Sequence, residues 1–133
     1  MRMIKRMMAG LAMALALGGA ALADPVEGLW QTEPGDNGGF IQVAIAPCGE
    51  AFCGVIRSAF DKQGKPDPGY EHLGKRMLWD MKPEGGGKYG EGKIWAPDRG
   101  KTYNSKMQLS GNRLEVEGCV FFICRGQSWT RVK

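Results

Sequence analysis

Gly28-Leu29-Trp30 ("GLW") and Gln127-Ser128-Trp129-Thr130-Arg131 ("QSWTR") stand near the two ends of the part of the chain that looks folded. The first reads as the opening of a first strand. The second reads as a last strand that ends on an arginine. If the sheet between them closes on itself, first and last strands become antiparallel neighbours, and Trp30 and Arg131 fall at the same end. A guanidinium there can lie flat on the indole and cap rim carbonyls with its donors. This pairing predicts a closed barrel with one end plugged by Trp30 and Arg131.

Turn chemistry supports the closed sheet. The chain has 21 Gly and 7 Pro, and no long stretch carries the 3.6-residue apolar period of a helix. Short alternating runs appear instead. Strands are expected over 27–32, 40–46, 52–60, 76–82, 89–95, 102–109, 113–118 and 126–132. Ile41, Val43 and Ile45 alternate with Gln42 and Ala44. Tyr103, Ser105, Met107 and Leu109 share one face, as do Met77, Trp79 and Met81. "SGN" at 110–112 is a tight hairpin signal. Eight short strands with hairpin-length connections predict an all-β, eight-stranded antiparallel up-and-down barrel, which leaves no open sheet edge. A two-sheet sandwich is the alternative.

The ends of the chain bound its compartment. Residues 1–23 have a basic start (Arg2, Lys5, Arg6), an apolar run, and Ala21-Leu22-Ala23, a small-x-small cleavage pattern. This reads as a cleaved signal peptide, with the apolar run short and weakly hydrophobic for a membrane span. No Cys at the cleavage point offers a lipid anchor. Removing 23 of 133 residues leaves 110, enough for a single barrel domain over 24–133. The formal charge of +4 drops to +1 once the three basic residues of the leader are gone. That balance argues against nucleic acid as a partner. The protein is expected to be periplasmic or secreted, without a transmembrane span after cleavage.

Cys48, Cys53, Cys119 and Cys124 form two C-x4-C pairs. An exported chain favours disulfides over a four-Cys zinc site. Composition leaves three pairings open, and the barrel chooses among them. Successive turns of an up-and-down barrel alternate between its ends, so the second and seventh turns lie at opposite ends. Strands of about seven residues separate those ends by over ~20 Å, far beyond the roughly 4.4–6.8 Å that a disulfide spans. The expected pairs are Cys48–Cys53 and Cys119–Cys124, each within its own hairpin.

Longer stretches carry a resemblance. A Gly-x-Trp on the first strand with an Arg on the last is similar to the signature of the calycin group of lipocalins, fatty-acid-binding proteins and avidins. "EGLWQT", "VAIAPCGEAFCGVI", "GKIWAPDRGKTYNSKMQL", "LEVEGC" and "CRGQSWTR" together resemble the DUF2147 family of exported bacterial proteins. The resemblance covers essentially the whole chain after the leader. It implies a lipocalin-like barrel and attaches no biochemical activity. The stretch from Tyr70 to Lys82 is shorter than the resemblance leads one to expect.

Motifs that suggest chemistry do not hold together. "RGKTY" ends like a phosphate-binding loop, but Trp95 stands where the first glycine of that loop belongs. "KYGEGKIW" lacks the following helix of a dinucleotide fold. His72 is the only histidine, Glu115 and Glu117 read as the wet face of a strand, and paired cysteines cannot act as nucleophiles. No catalytic constellation, metal site or cofactor is expected. Met77, Trp79, Tyr103 and Met107 are the candidates to line a cavity for a small apolar or amphipathic ligand, since Met adapts to varied guests. Phe121 and Phe122, in the "VFFI" tip at 120–123, are candidates at its mouth, opposite the Trp30–Arg131 end. The rival reading is a filled barrel, whose rim loops bind a protein or envelope polymer as an adaptor or inhibitor; an eight-stranded interior can be just wide enough for its own side chains.

Overall fold

The computed structural model describes residues 23–133, so residues 1–22 of the expected export segment lie outside the described residues. The strands are β1 (Gly28–Gln31), β2 (Phe40–Cys48), β3 (Ala51–Phe60), β4 (Arg76–Gly85), β5 (Lys88–Ala96), β6 (Lys101–Ser110), β7 (Arg113–Val120) and β8 (Ile123–Arg131). Each pairs antiparallel with the next, and β8 pairs back onto β1, giving a closed barrel rather than a sandwich. Several strands run further than their alternation suggests. The Cys-containing turns and "PEGGGK" shrink to two-residue loops because ladder pairing continues to Cys48↔Ala51, Gly85↔Lys88 and Val120↔Ile123.

The connections sort by end. Residues 32–39, 61–75, 97–100 and 121–122 lie at one end, here the upper one; the two-residue loops after β2, β4 and β6 lie at the lower end. The cysteines pair as Cys48–Cys53 and Cys119–Cys124, with Cα separations of 5.5 and 4.1 Å. The two bridges therefore sit at opposite ends of the barrel.

Large inward side chains fill the lower half of the barrel. Trp30, Met81, Tyr89, Met107 and Leu114 are all buried in the lower and central interior. Arg131 stands opposite Trp30 in the β1–β8 ladder. Its guanidinium carbon lies 4.4 Å from the Trp30 ring centroid. It donates to the Glu27 carbonyl at 3.0 Å and also to the Pro25 carbonyl. The Trp30 indole N–H donates to the Val26 carbonyl at 2.9 Å. Gly28 makes this approach possible: a Cβ there would stand 2.6 Å from the Lys133 carbonyl oxygen and 2.7 Å from Arg131 Nη1, at a φ of 142° that favours glycine. Nearby, the Tyr89 hydroxyl donates to the Asp24 carboxylate. Burial first, and that hydrogen bond second, push the Tyr89 pKa up.

One expected strand face is broken. The two steps along β3 from Phe52 to Gly54 are matched by three along β4, from Met81 to Leu78. Asp80 takes a φ of 56° at this bulge. A bulge slips the inside-outside alternation by one residue. Met77 and Met81 remain buried, but Trp79 is only half-buried, with the Arg76 guanidinium 5.1 Å from its ring centroid.

Candidate functional site

The upper half of the barrel encloses a cavity of about 920 Å³ that opens among the upper loops. It exists because inward positions there are small or placed high. Ala59 and Gly118 contribute little bulk, and Ile41, Met77, Ile94, Tyr103, Val116 and Trp129 form the apolar wall. Trp129 is buried, and its indole N–H donates to Gln127 Oε1 at 2.7 Å. The same amide oxygen accepts the Glu33 N–H at 3.3 Å, which ties the first upper loop to β8.

The rim is polar and unevenly charged. Glu33, Asp36, Asp61 and Asp67 line the side formed by the 32–39 and 61–75 loops, where Lys62 is the basic lining residue. Arg99 and Arg125 line the opposite side. Asp98 reaches across the mouth, where its carboxylate accepts the Asp36 N–H at 3.4 Å. The 61–75 loop is anchored by aromatic contacts. His72 sits edge-on between Tyr70 and Trp95, at centroid distances of 5.2 and 4.9 Å, and Lys75 Nζ lies 4.0 Å from the Trp95 ring centroid. Tyr70 also lines the cavity. Its pKa is raised, by burial first and then by the charges of Asp98, Glu71 and Asp67.

The candidate ligand residues divide three ways. Met77 and Tyr103 are in the wall. Met107 is buried one step below, paired with Tyr89 and Val116, and packs the core rather than the wall. Trp79 is a correction: the β4 bulge takes it out of the cavity lining and places it against Arg76. In the "VFFI" tip, Val120 and Ile123 line the mouth, whereas Phe121 and Phe122 point away from it, 91% and 100% exposed. The sequence reading missed Ile94, Val116 and Trp129. Their signal was the alternation of "GKIWA", "LEVEG" and "QSWTR", read for strands and not followed inward.

Chemistry-bearing groups do not converge elsewhere. Among the described residues, no group of three or more His, Cys, Asp or Glu side chains could hold a metal ion, and no helix is long and apolar enough to cross a membrane. Glu115 accepts from Ser128 on the outer face, and Glu117 lies 3.8 Å from Lys106.

No curated protein matches the chain. Among solved structures, the barrel is similar to protein HP1028 from the human pathogen Helicobacter pylori, described as belonging to the lipocalin family. That similarity has a TM-score of 0.66 and 19% identity over 84% of this chain and 85% of the other. At that identity the likeness speaks to the fold, which is lipocalin-like. Residues 28–131, from the Gly-x-Trp glycine to the arginine over Trp30, match the family described as "Uncharacterized protein conserved in bacteria (DUF2147)", and the chain belongs to that family.

Proposed function

We propose that the protein is an exported binding module of the bacterial cell envelope, whose barrel takes up one small ligand with an apolar body and a polar end. The observation that carries this reading is the cavity of about 920 Å³. Ligand pockets run from roughly 300 to 1,000 Å³, with mostly apolar walls and a few polar groups that fix orientation. The wall of Met77, Ile94, Tyr103, Val116 and Trp129 supplies the apolar part. Tyr70, Asp98, Arg99 and Arg125 offer the polar contacts at the mouth. The interior favours this over a filled barrel acting only through its rim. Two disulfides and the leader-like residues 1–23 support export to the periplasm or beyond.

The test is titration of residues 24–133 with fluorescent fatty-acid and anilinonaphthalene probes, together with native mass spectrometry of the protein purified from its own envelope. A single saturable site and a co-purifying small molecule are expected. Val116→Trp, which fills the cavity from its wall, should weaken probe binding at least about tenfold, the effect of losing burial of one large apolar group. Absence of a bound mass together with no saturable probe binding would refute the reading. So would Val116→Trp binding every probe as tightly as the unaltered chain.

A further inference from the structure

The barrel contains four hairpin loops of identical length, and one of them is chemically out of place. Ladder pairing continues to Cys48↔Ala51, Gly85↔Lys88, Ser110↔Arg113 and Val120↔Ile123, which leaves two residues in each loop. Such loops need a positive φ at their first residue, and Gly, Asn and Asp normally supply it. The three lower loops follow this rule as Gly49-Glu50, Gly86-Gly87 and Gly111-Asn112, with φ of 70°, 64° and 60° at the first glycine. The upper loop is Phe121-Phe122, and Phe121 is held at a φ of 54°. A bulky side chain is disfavoured there. Core packing gives nothing in return, since both rings are in solvent. Neither the turn nor the fold accounts for two phenylalanines at this tip.

The surroundings indicate what covers them. Val120 and Ile123, 48% and 70% exposed, extend the apolar tip to four residues, and the Cys119–Cys124 bridge clamps its base. Arg125 on the same hairpin, and Arg99 and Lys101 on the adjoining turn, are exposed and in no ion pair among the described residues. The hairpin from Gly118 to Gly126 has no acidic residue. Asp98, the acid of the adjoining turn, is directed across the mouth to Asp36. Asp61 and Asp67 stand on the far rim, and on the flanking 32–39 loop the Glu33 carboxylate is taken up by the Ser128 N–H at 2.6 Å. A narrow apolar prong with cations on one flank is too small for a stable protein interface, which needs roughly 800 Å² from each partner. It suits insertion among acyl chains, with the cations at the level of anionic headgroups.

We propose that the Val120–Ile123 tip is a membrane-docking prong that seats the mouth of the barrel, tilted toward its β7–β8 side, on an anionic lipid surface. Docking of this kind stands apart from the identity or existence of a cavity ligand.

Residues 24–133, within which the barrel closes, are spun with sucrose-loaded vesicles of phosphatidylglycerol and phosphatidylcholine, and with vesicles of phosphatidylcholine alone. The decisive variant is Phe121→Gly with Phe122→Asn, which copies the Gly111-Asn112 loop. It should melt at or above the temperature of the unaltered protein and bind anionic vesicles at least about tenfold more weakly. Arg99→Gln, Lys101→Gln and Arg125→Gln should each cost about fivefold, and salt should weaken binding of the unaltered protein. In a Phe122→Trp variant, brominated acyl chains should quench the fluorescence of the added indole. The proposal is overturned if the unaltered protein stays in solution with every vesicle, if the Gly-Asn variant sediments equally well, or if that variant unfolds. Sedimented Phe122→Trp protein whose added indole is not quenched would overturn it too, and would leave the prong as a contact for another protein.

Discussion

Removing the Arg131 guanidinium should damage the barrel far more than removing a comparable surface cation. Arg131 stacks over the fully buried Trp30 and donates to the carbonyls of Glu27 and Pro25. A cation–π contact of this kind contributes up to about 2 kcal/mol when desolvated. Hydrogen bonds to a charged group contribute about 1.5–3 kcal/mol each when buried. Arg131 is half-buried, and these terms share one side chain, so they do not add in full. A loss of about 3 kcal/mol for Arg131→Ala is the resulting expectation. For a domain of about 110 residues this lowers Tm by about 12 °C. Arg131→Lys should lose nearly as much, because an ammonium cannot stack flat and reach both carbonyls at once. Arg57 is exposed on β3, and Arg57→Ala should change stability by no more than about 0.5 kcal/mol. The assay is urea unfolding followed by near-ultraviolet circular dichroism, which reads the environment of the buried tryptophans, with thermal melts alongside. Small and equal losses for Arg131→Ala and Arg57→Ala would refute the reasoning. Full stability in Arg131→Lys would show that charge alone suffices and that the stack contributes nothing.

Gly28→Ala should destabilise by about 1–3 kcal/mol, because its Cβ meets the Lys133 carbonyl and Arg131 Nη1 at a φ of 142°; a melt matching the unaltered protein would show that this corner can open at no cost. The Tyr89 hydroxyl is held above its ordinary pKa of 10.0, so its neutral form favours folding. That contribution is complete below pH 10 and is lost as pH rises toward the folded-state value, so stability should fall with pH above about 10. Tyr89→Phe should flatten this alkaline decline in urea unfolding; identical slopes in the two proteins would count against the assignment. Non-reducing peptide mapping should recover Cys48–Cys53 and Cys119–Cys124 as separate small loops, and Cys119→Ser with Cys124→Ser should cost no more than about 2 kcal/mol because the closed loop is short. A peptide joining the two hairpins would contradict the strand order itself.

What could be read from residues alone was whatever closure dictates. Once eight strands close, the positions of Trp30 and Arg131 follow, and so does the separation of the two cysteine pairs, because both depend only on counting strands and turns. The face of Trp79 did not follow, because alternation is reliable only in an unbroken ladder. "RMLWDMK" contains no Gly or Pro to warn of the bulge at Asp80. The compensating signal lies on the next strand: at Gly92 a Cβ would meet Met81 Sδ at 2.6 Å and the Trp79 carbonyl at 2.9 Å. The cavity was also beyond counting. Its volume reflects a difference between large inward side chains below and Ala59 and Gly118 above, and a difference of that kind appears only when register is known. The prong was visible as four apolar residues between cysteines, but its strain depends on a two-residue turn that needed the Val120↔Ile123 pairing to define.

The weld between β1 and β8 gives the barrel a particular order of assembly. Seven of its eight seams join strands that are consecutive in sequence. The eighth joins a four-residue strand to the far end of the chain through the pairs Trp30↔Arg131 and Gln31↔Thr130, with Leu29 adding hydrogen bonds to Val132 and Lys133. A contact between residues about a hundred positions apart carries the largest loop-closure cost in the chain until the hairpins have drawn its ends together. Once they have, most of that cost is already met. The sheet should therefore grow hairpin by hairpin and become a ring last, with amide protons along β1 the least protected from hydrogen exchange. On this view Trp30 and Arg131 form the clasp of the ring, and their stack decides how often it springs open.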